Sequence, residues 1–499
     1  MKLSLTSFFS QKTTSTSTDY IDKLKHIAQK KNLFFFSDVA IYHHARTYIL
    51  PLIMFDPQRG LYLFEIKEWD YTRLQKANIV QEESSPAENT LAYHSMQQVI
   101  YEKLDELSHT RNLPIYNYLI CTHLTSQEYA QLPETLQKYL PQNTIIFQDT
   151  KEHTIYEILF FNKKPLPIPL STHTILGSLF IQYTFIKEDK PYFANKEQRA
   201  FIDTSLHSLT TLLAPPKSGA TQTILLKAVV EILRAPYKKV LIIKPNTLSK
   251  DILQKQLIAL IEHAIIEFDF TALEILTPQE LIIRHLHKLK KQPFSHISLS
   301  CIEPSLMKKK FSVADIIFCD DVAFLDAPFI EYLKHIQKKK KLVLVNTHED
   351  TYTFSLQHTY LPAKRKIYFY ETNPLAKTMH LVASLYTQFP QDTILIVSSV
   401  ETKEKLFEDM QSFVQAPLSC IDATQHLIHN TLQNILLASY HEIIDIEADH
   451  LIALDTSKHT KEELEYALFI ASKNTYVVYE EETQSLQDLK EKYENNKDR

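Results

Sequence analysis

Apolar and polar positions along this chain follow two rhythms. From Tyr20 to about Ile186 the pattern is mixed. It has a helical opening (DKLKHIAQKK), strand-like runs at ARTYILPLIMF and GLYLFEIKEW, an amphipathic helix near LAYHSMQQVIYEKLDEL and a strand at YNYLICTHL. Together these predict one compact α+β domain. Residues 165 to 193 carry several prolines and end at KEDKPYF, after which helix and strand alternate to roughly residue 350 with βαβ spacing. That alternation predicts a parallel sheet with helices on both faces. A second alternating block runs from about Lys366 to Glu481, with DTILIVSS, NILLASY, DHLIALD and NTYVVYE as buried strands. The resulting plan is a flexible Ser/Thr-rich leader (1–18), an α+β domain (19–186), two α/β domains (187–362 and 363–485) and a polar helical tail (486–499).

Composition narrows the class. A chain of 499 residues with 44% hydrophobic content can bury three cores of ordinary domain size. Its formal net charge of −5, from 54 basic and 59 acidic residues, supplies no overall positive field, so any nucleic-acid groove must be local. Cys121, Cys301, Cys319 and Cys420 lie far apart without CxxC spacing, which argues against a disulfide framework or a zinc site and for a cytoplasmic setting. No stretch reaches the roughly 18 uncharged apolar residues of a membrane span, and the N-terminus lacks a signal-peptide core. Only Gly60, Gly177 and Gly219 are glycines, where average usage of about 7% would give more than roughly thirty. Each is expected to mark a backbone need.

The segment LTTLLAPPKSGATQTILLKAVVEIL reads as strand, turn and helix with Gly219 in the turn. Backbone N–H groups at such a helix start form an anion site. Alone, APPKSGAT is an ordinary strand-to-helix turn. Other segments follow it in order: NKEQRAFI before it, then KKVLIIKPNTLSKDIL, FDFTALEILTPQELIIRHL, SVADIIFCDDVAFLD and KKLVLVNTHED. In that order they resemble the motifs of superfamily 1 (UvrD-like) helicases. APPKSGAT is similar to that family's GPPGTGKT phosphate loop, with Pro215, Pro216, Gly219 and Thr221 matching. The resemblance implies a nucleotide site at Gln198, Pro216, Lys217, Ser218, Gly219, Ala220, Thr221 and Gln222, with Asn195 and Arg199 beside the adenine-reading Gln198. It implies nucleic-acid contacts at Lys244, Asn246, Thr247 and Thr277, and a magnesium-binding Asp320 followed by Asp321 at the catalytic Glu position, with Ala323 where a Gln belongs.

The departures matter as much as the matches. The family's phosphate-reaching lysine falls on Ala220, its first two glycines on Ala214 and Lys217, and Asn346 and Thr347 stand where Gly and Asp are usual. Lys217 could reach in from the side. In YFYETNPLAKTMHLVASLY the family's arginine falls near Leu375, and in ELEYALFIASKNTYVVY on Lys473 or Asn474. Loss of an arginine finger alone removes about a thousandfold or more in rate. The implied fold is two RecA-like P-loop NTPase domains with weak or no ATP turnover.

In PLIMFDPQRGLYLFEIKEW the period of two puts Glu65 and Lys67 on one face of a hairpin strand. A lone ExK is usually a solvated strand face. This stretch resembles the nuclease-related (NERD) domain of the restriction-endonuclease-like class, with Gln97 and Gln98 near the family's glutamine, and an ExK of that kind binds magnesium and polarises water. That family's further Asp falls near Pro51 or Leu52, leaving Asp56 or Asp38 to compensate. The lysines from Lys338 to Lys341 read as a solvated helix end or a phosphate contact. Trp69 reads as packing.

Three functions follow as expectations. The first is a degenerate helicase/nuclease-like protein acting as a DNA-binding or scaffold subunit in recombination, repair or defence, with a protein partner and doubtful Mg-ATP binding. The second is an active ATP-dependent helicase or nuclease using Lys217, Asp320, Asp321, Glu65 and Lys67. The third is a protein-interaction module.

Overall fold

The computed structural model describes residues 15–43, 46–75, 93–108, 113–161, 163–187, 190–288, 314–336, 340–346, 352–357, 365–413, 416–429 and 433–494. The chain divides into two compact units, Met1–Phe193 with Leu260–Glu267, and Ala194–Ala259 with Phe268–Arg499. Among the described residues, no helix is long and apolar enough to cross a membrane.

The first unit is built on a sheet of β1 (Phe34–His43), β2 (Arg46–Asp56), β3 (Gly60–Asp70), β4 (Ile115–His123) and β5 (Ile145–Ile146), in that spatial order. β1, β2 and β3 form an antiparallel meander, and β4 then runs parallel to β3 after the helix Tyr93–Ser108. Alternation along the strands divides the core. Leu52, Met54, Tyr62, Phe64, Tyr118 and Ile120 pack with the helices Ser15–Lys30 and Glu152–Phe160, while Trp69, Leu119, Cys121 and Ile145 form a separate cluster.

Two boundaries differ from expectation. The opening helix starts at Ser15, inside the stretch read as leader, and residues 1–14 of that stretch lie outside the described residues. The first unit runs on to Phe193 because β6 (Thr184–Lys187) and β7 (Lys190–Phe193) form a hairpin against the helix Thr172–Leu179, with Thr184 Oγ1 donating to Gly177 O at 3.0 Å. A Cβ on Gly177 would meet Pro191 Cβ at 3.1 Å, and one on Gly60, whose φ is +121°, would lie 2.2 Å from Pro114 O. Gly60 therefore marks a close backbone approach, and Gly177 close packing against the Pro191 side chain.

The second unit holds two six-stranded, all-parallel sheets. The first lobe contains β8 (Leu209–Leu213), β9 (Val240–Ile243), β10 (Leu273–Leu276), β11 (Ile316–Cys319), β12 (Lys341–Asn346) and β13 (Phe354–Ser355), ordered β10-β9-β11-β12-β8-β13. The second contains β14 (Lys366–Glu371), β15 (Ile394–Ser398), β16 (Leu418–Cys420), β17 (Ile435–Ser439), β18 (Ala448–Ala453) and β19 (Ala471–Tyr479), ordered β14-β19-β18-β15-β17-β16.

In the second lobe, alternate residues of the central strands enter two cores. Leu395, Val397, Leu436 and Leu451 pack with Leu464 and Leu468, whereas Ile394, Ile396, Ile435 and Ile452 pack with Leu381, Leu385, Leu406 and Met410. Helices thus cover both faces, as a near-continuous apolar strand requires. Leu486 and Leu489 of the helix Gln484–Glu494 are buried in the first of these cores, so the C-terminal helix is docked there.

Glycine scarcity shows in the backbone. Asn32, Asp38, Lys217, Ile265, Asp321, Asp445 and Asp455 all adopt positive φ, a conformation glycine would fill with less strain.

Candidate functional site

In parallel sheets, chemistry gathers at the carboxyl ends of the strands. β12 lies between β8 and β11, so the loop after β8 and the aspartates after β11 emerge at one edge of the first lobe. The loop runs from Ala214, whose N–H donates to Asn346 O at 2.8 Å, to Gly219, which caps the helix Ala220–Arg234 with φ 76° and ψ 28°. Its backbone therefore has the expected turn and helix start.

Its side chains do something else. Gln198 is completely buried; its Oε1 accepts from Asn195 N at 2.9 Å and its Nε2 donates to Ser218 O at 3.0 Å. It braces the loop instead of facing a base. Lys217 reaches across to the second lobe and pairs with Glu447 Oε1 at 2.7 Å. Thr221 Oγ1 donates to Asp320 Oδ2 at 2.8 Å, joining the loop helix to β11. Ser218 is buried, while Pro216, Ala220 and Gln222 are half-buried along the same loop.

At the centre lies Lys244. Cys319 pairs with Ile243 in the β11–β9 register, so Asp320 and Lys244 face each other one residue beyond the sheet. The Lys244 ammonium has no solvent exposure and lies 2.8 Å from Asp320, 2.6 Å from Asp321 and 2.7 Å from Asp445 of the second lobe. Burial opposes its charge, but the three carboxylates outweigh burial and raise its pKa well above the usual lysine value. Three acids around one ammonium leave excess negative charge. Asp321 and Asp445 accordingly have raised pKa values, with burial the largest cause and the neighbouring Asp320 charge contributing.

This arrangement bears on two expected roles. Lys244, expected among the nucleic-acid contacts, is buried and ion-paired with three carboxylates. Asp320 Oδ2 is engaged by the Lys244 ammonium and by Thr221 Oγ1, whereas its Oδ1 is buried without a hydrogen-bond partner. Among the described residues, no group of three or more His, Cys, Asp or Glu side chains is arranged to hold a metal.

Two of the other expected nucleic-acid donors are also engaged internally. Asn246 Nδ2 donates to His441 O at 3.2 Å, and its Oδ1 accepts from Ser249 N at 2.8 Å. Thr277 is buried and caps the helix Pro278–Lys288, its Oγ1 accepting from Glu280 N while Glu280 Oε2 accepts from Thr277 N. Thr247 is half-buried at the start of the helix Thr247–Ala264.

Around Lys244 the two lobes are joined by further contacts that sequence reasoning missed. Leu248 N donates to Ala423 O at 3.1 Å, and the Leu248 side chain lies in the second lobe's core. Asp251 Oδ2 lies 2.9 Å from His426 Nδ1 and accepts from Leu427 N at 2.9 Å. Phe324 meets Tyr466 edge-to-face at 5.0 Å, and Tyr466 Oη accepts from Asp445 N at 3.2 Å.

The arginine positions are not rescued. Lys473 pairs with Asp392 at 2.6 Å and Asp449 at 3.2 Å, and Asn474 lies near His450. These residues sit at the start of β19. Because the strands are parallel, that is the opposite sheet end from Asp445, which follows β17. Leu375 begins the helix Pro374–Gln388 and is partly exposed. Thr347 and Lys338 lie outside the described residues, and Lys340 pairs with Asp315.

In the first unit, Glu65 and Lys67 share a face of β3 and form an ion pair of 2.9 Å, with Lys67 over the buried Trp69 ring. Leu52 pairs with Phe64, so Pro51 stands opposite Glu65 and brings no carboxylate. Asp38 stands a strand further away, opposite Pro51. Asp56 is buried in the turn, accepting from Gln58 N at 2.8 Å and from Arg59 Nη1 at 2.9 Å, so it organises the hairpin. Gln97 Oε1 accepts from Asn117, and Gln98 donates to Glu102.

No protein-family model matches this chain, and no curated protein does. Solved helicases resemble it. One is S. cerevisiae Dbp5 bound to RNA and ADP BeF3, at 12% identity and TM-score 0.44, covering 60% of this chain and 87% of that one. Another is Mss116p bound to ssRNA and AMP-PNP, at 11% identity and TM-score 0.43, covering 63% and 72%. A third is the Escherichia coli DEAH/RHA helicase HrpB, at 12% identity and TM-score 0.38, covering 56% and 41%.

Proposed function

We propose that this chain is a degenerate helicase-like scaffold whose two RecA-like lobes are held together by an internal cation and do not turn over ATP. The observation that carries the proposal is Lys244, buried among Asp320 and Asp321 of one lobe and Asp445 of the other. Phosphoryl transfer needs a cation on the phosphates and a metal held by the strand-end carboxylate. Here Ala220 stands at the lysine position of the loop, and the strand-end carboxylates are engaged by the Lys244 ammonium. The motif order of a superfamily 1 helicase supports placing the chain as a subunit serving DNA recombination, repair or defence. Any DNA it holds would be held by groups other than Lys244, Asn246 and Thr277.

The first unit's helix, antiparallel meander, helix and parallel strand, with Glu65 and Lys67 on β3, support a restriction-endonuclease-like ancestry. With Pro51 opposite Glu65, we propose that it no longer cleaves.

The test is steady-state hydrolysis of magnesium ATP by the purified chain, with and without single-stranded DNA, beside Asp320→Ala. The proposal expects both proteins at background. Stimulated turnover that Asp320→Ala abolishes would overturn it.

A further inference from the structure

The closed lobes create a groove that neither could form alone. It is open to solvent, has a volume of about 590 Å³, and is walled by Gln254, Lys255 and Ile258 of the helix Thr247–Ala264 and by His426, Leu427 and Ile428 of the second lobe. Ile428 is 87% exposed and Ile258 48% exposed. Single exposed apolar residues are ordinary, but two converging on one groove from different lobes are not.

The second-lobe wall is fixed in place. Asp251, on the first lobe, accepts from Leu427 N and contacts His426 Nδ1, both at 2.9 Å, so Ile428 follows a residue anchored across the lobe junction. A preorganised apolar side chain loses little freedom when a partner covers it. Lys250, on the rim, is already paired with Glu280 at 2.6 Å. Among the described residues Lys255 forms no ion pair, and Asp251, one helical turn before it, is engaged by His426 and Leu427.

We propose that this groove receives a peptide segment of a partner protein, seating an aliphatic side chain between Ile258 and Ile428 and a carboxylate against Lys255. The chemistry favours peptide over nucleic acid. Its lining sets Ile258, Leu427 and Ile428 beside Lys250, Asp251, Gln254, Lys255 and His426; Lys250 is paired with Glu280 and Asp251 is engaged by His426 and Leu427, which leaves Lys255 for a carboxylate, and among these residues there is no aromatic platform for bases. The proposal rests on the closed-lobe reading, since both walls must be present together.

The experiment pans a displayed library of short random peptides against the full chain, then measures binding of synthetic versions of enriched peptides by fluorescence anisotropy. The expected enrichment is an aliphatic residue flanked by Asp or Glu. Affinity should fall about tenfold or more with Ile428→Asp and with Ile258→Asp, and several-fold with Lys255→Ala, in variants whose melting temperatures are unchanged. Absence of enrichment, or peptides that bind Ile428→Asp as well as the parent, would overturn the proposal. So would a labelled oligothymidylate whose binding these same substitutions abolish. The two readings fail separately: a lobe separation that changes with nucleotide contradicts the closed scaffold, whereas undiminished binding by Ile428→Asp contradicts only the groove.

Discussion

Lys244 of the first lobe and Asp445 of the second lie 2.7 Å apart, with Asp320 and Asp321 on the other sides of the same ammonium. A buried ion pair is weak evidence of net stability, because desolvation offsets the attraction. It is stronger evidence of specificity. An ammonium that only these carboxylates can satisfy ties the turn after β17 to the ends of β9 and β11, and so sets how the lobes face each other.

Removing the cation should therefore be costly. Lys244→Met leaves three buried carboxylates around an apolar chain, and breaking a buried pair from one side typically costs about 3–5 kcal/mol. The expected result is a large fall in melting temperature, much of it recovered when Asp321→Asn and Asp445→Asn are added. A Lys244→Met protein as stable as the parent would contradict the arrangement.

The same cluster gives stability a pH dependence. Burial and the charge of Asp320 push the Asp321 carboxyl up to about 7, and Asp445 is raised for similar reasons. The folded protein thus keeps protons that the unfolded chain loses above about 3.8. Stability from these groups is full below that value and is lost as pH rises through about 7. Glu231 and Glu463, each lowered to about 2, act oppositely, their contribution failing only as pH falls below about 4.5. Thermal melts should show stability declining from pH 5 to about 7 and levelling off above it, with a flatter profile in Asp321→Asn.

Ala220→Lys restores the residue that the phosphate loop lacks. It should not restore hydrolysis, because Lys244 still occupies the carboxylates and Lys217 remains paired with Glu447. ATP turnover of Ala220→Lys at parental background is the expected outcome, and a clear gain would show that the lysine was the only missing part.

Gly60→Ala tests the tightest backbone approach in the first unit. With φ at +121° and a Cβ site 2.2 Å from Pro114 O, the substitution should destabilise by more than about 1 kcal/mol in denaturant titrations of the chain. A neutral effect would mean that β3 and the chain before β4 are not packed as described.

Much of the fold was legible in sequence because short β-branched apolar runs such as VLII, IIFC and ILIVS, alternating with helical patterns, suit buried parallel strands. The strands β14 and β16 were not, since β14 is half-exposed throughout and β16 has three residues. In the site, motif order drew attention to Asp320, Asp321 and Thr221; Thr221 is hydrogen-bonded to Asp320, and both aspartates pair with Lys244. The burial of Lys244 was not legible, because a lysine at a strand end looks the same in sequence whether it faces solvent or three aspartates. Asp445 gave no local signal. Its place follows from how the second lobe is seated, which no spacing rule encodes.

The central claim is closure without nucleotide, and distance measurement between spin labels on the two lobes tests it most directly. Glu331→Cys and Lys405→Cys place labels on exposed helix positions, one per lobe, in a chain whose own cysteines are replaced. The account predicts one narrow distance distribution that magnesium ATP and its analogues leave unchanged. A broad or two-state distribution that narrows when nucleotide is added would contradict it.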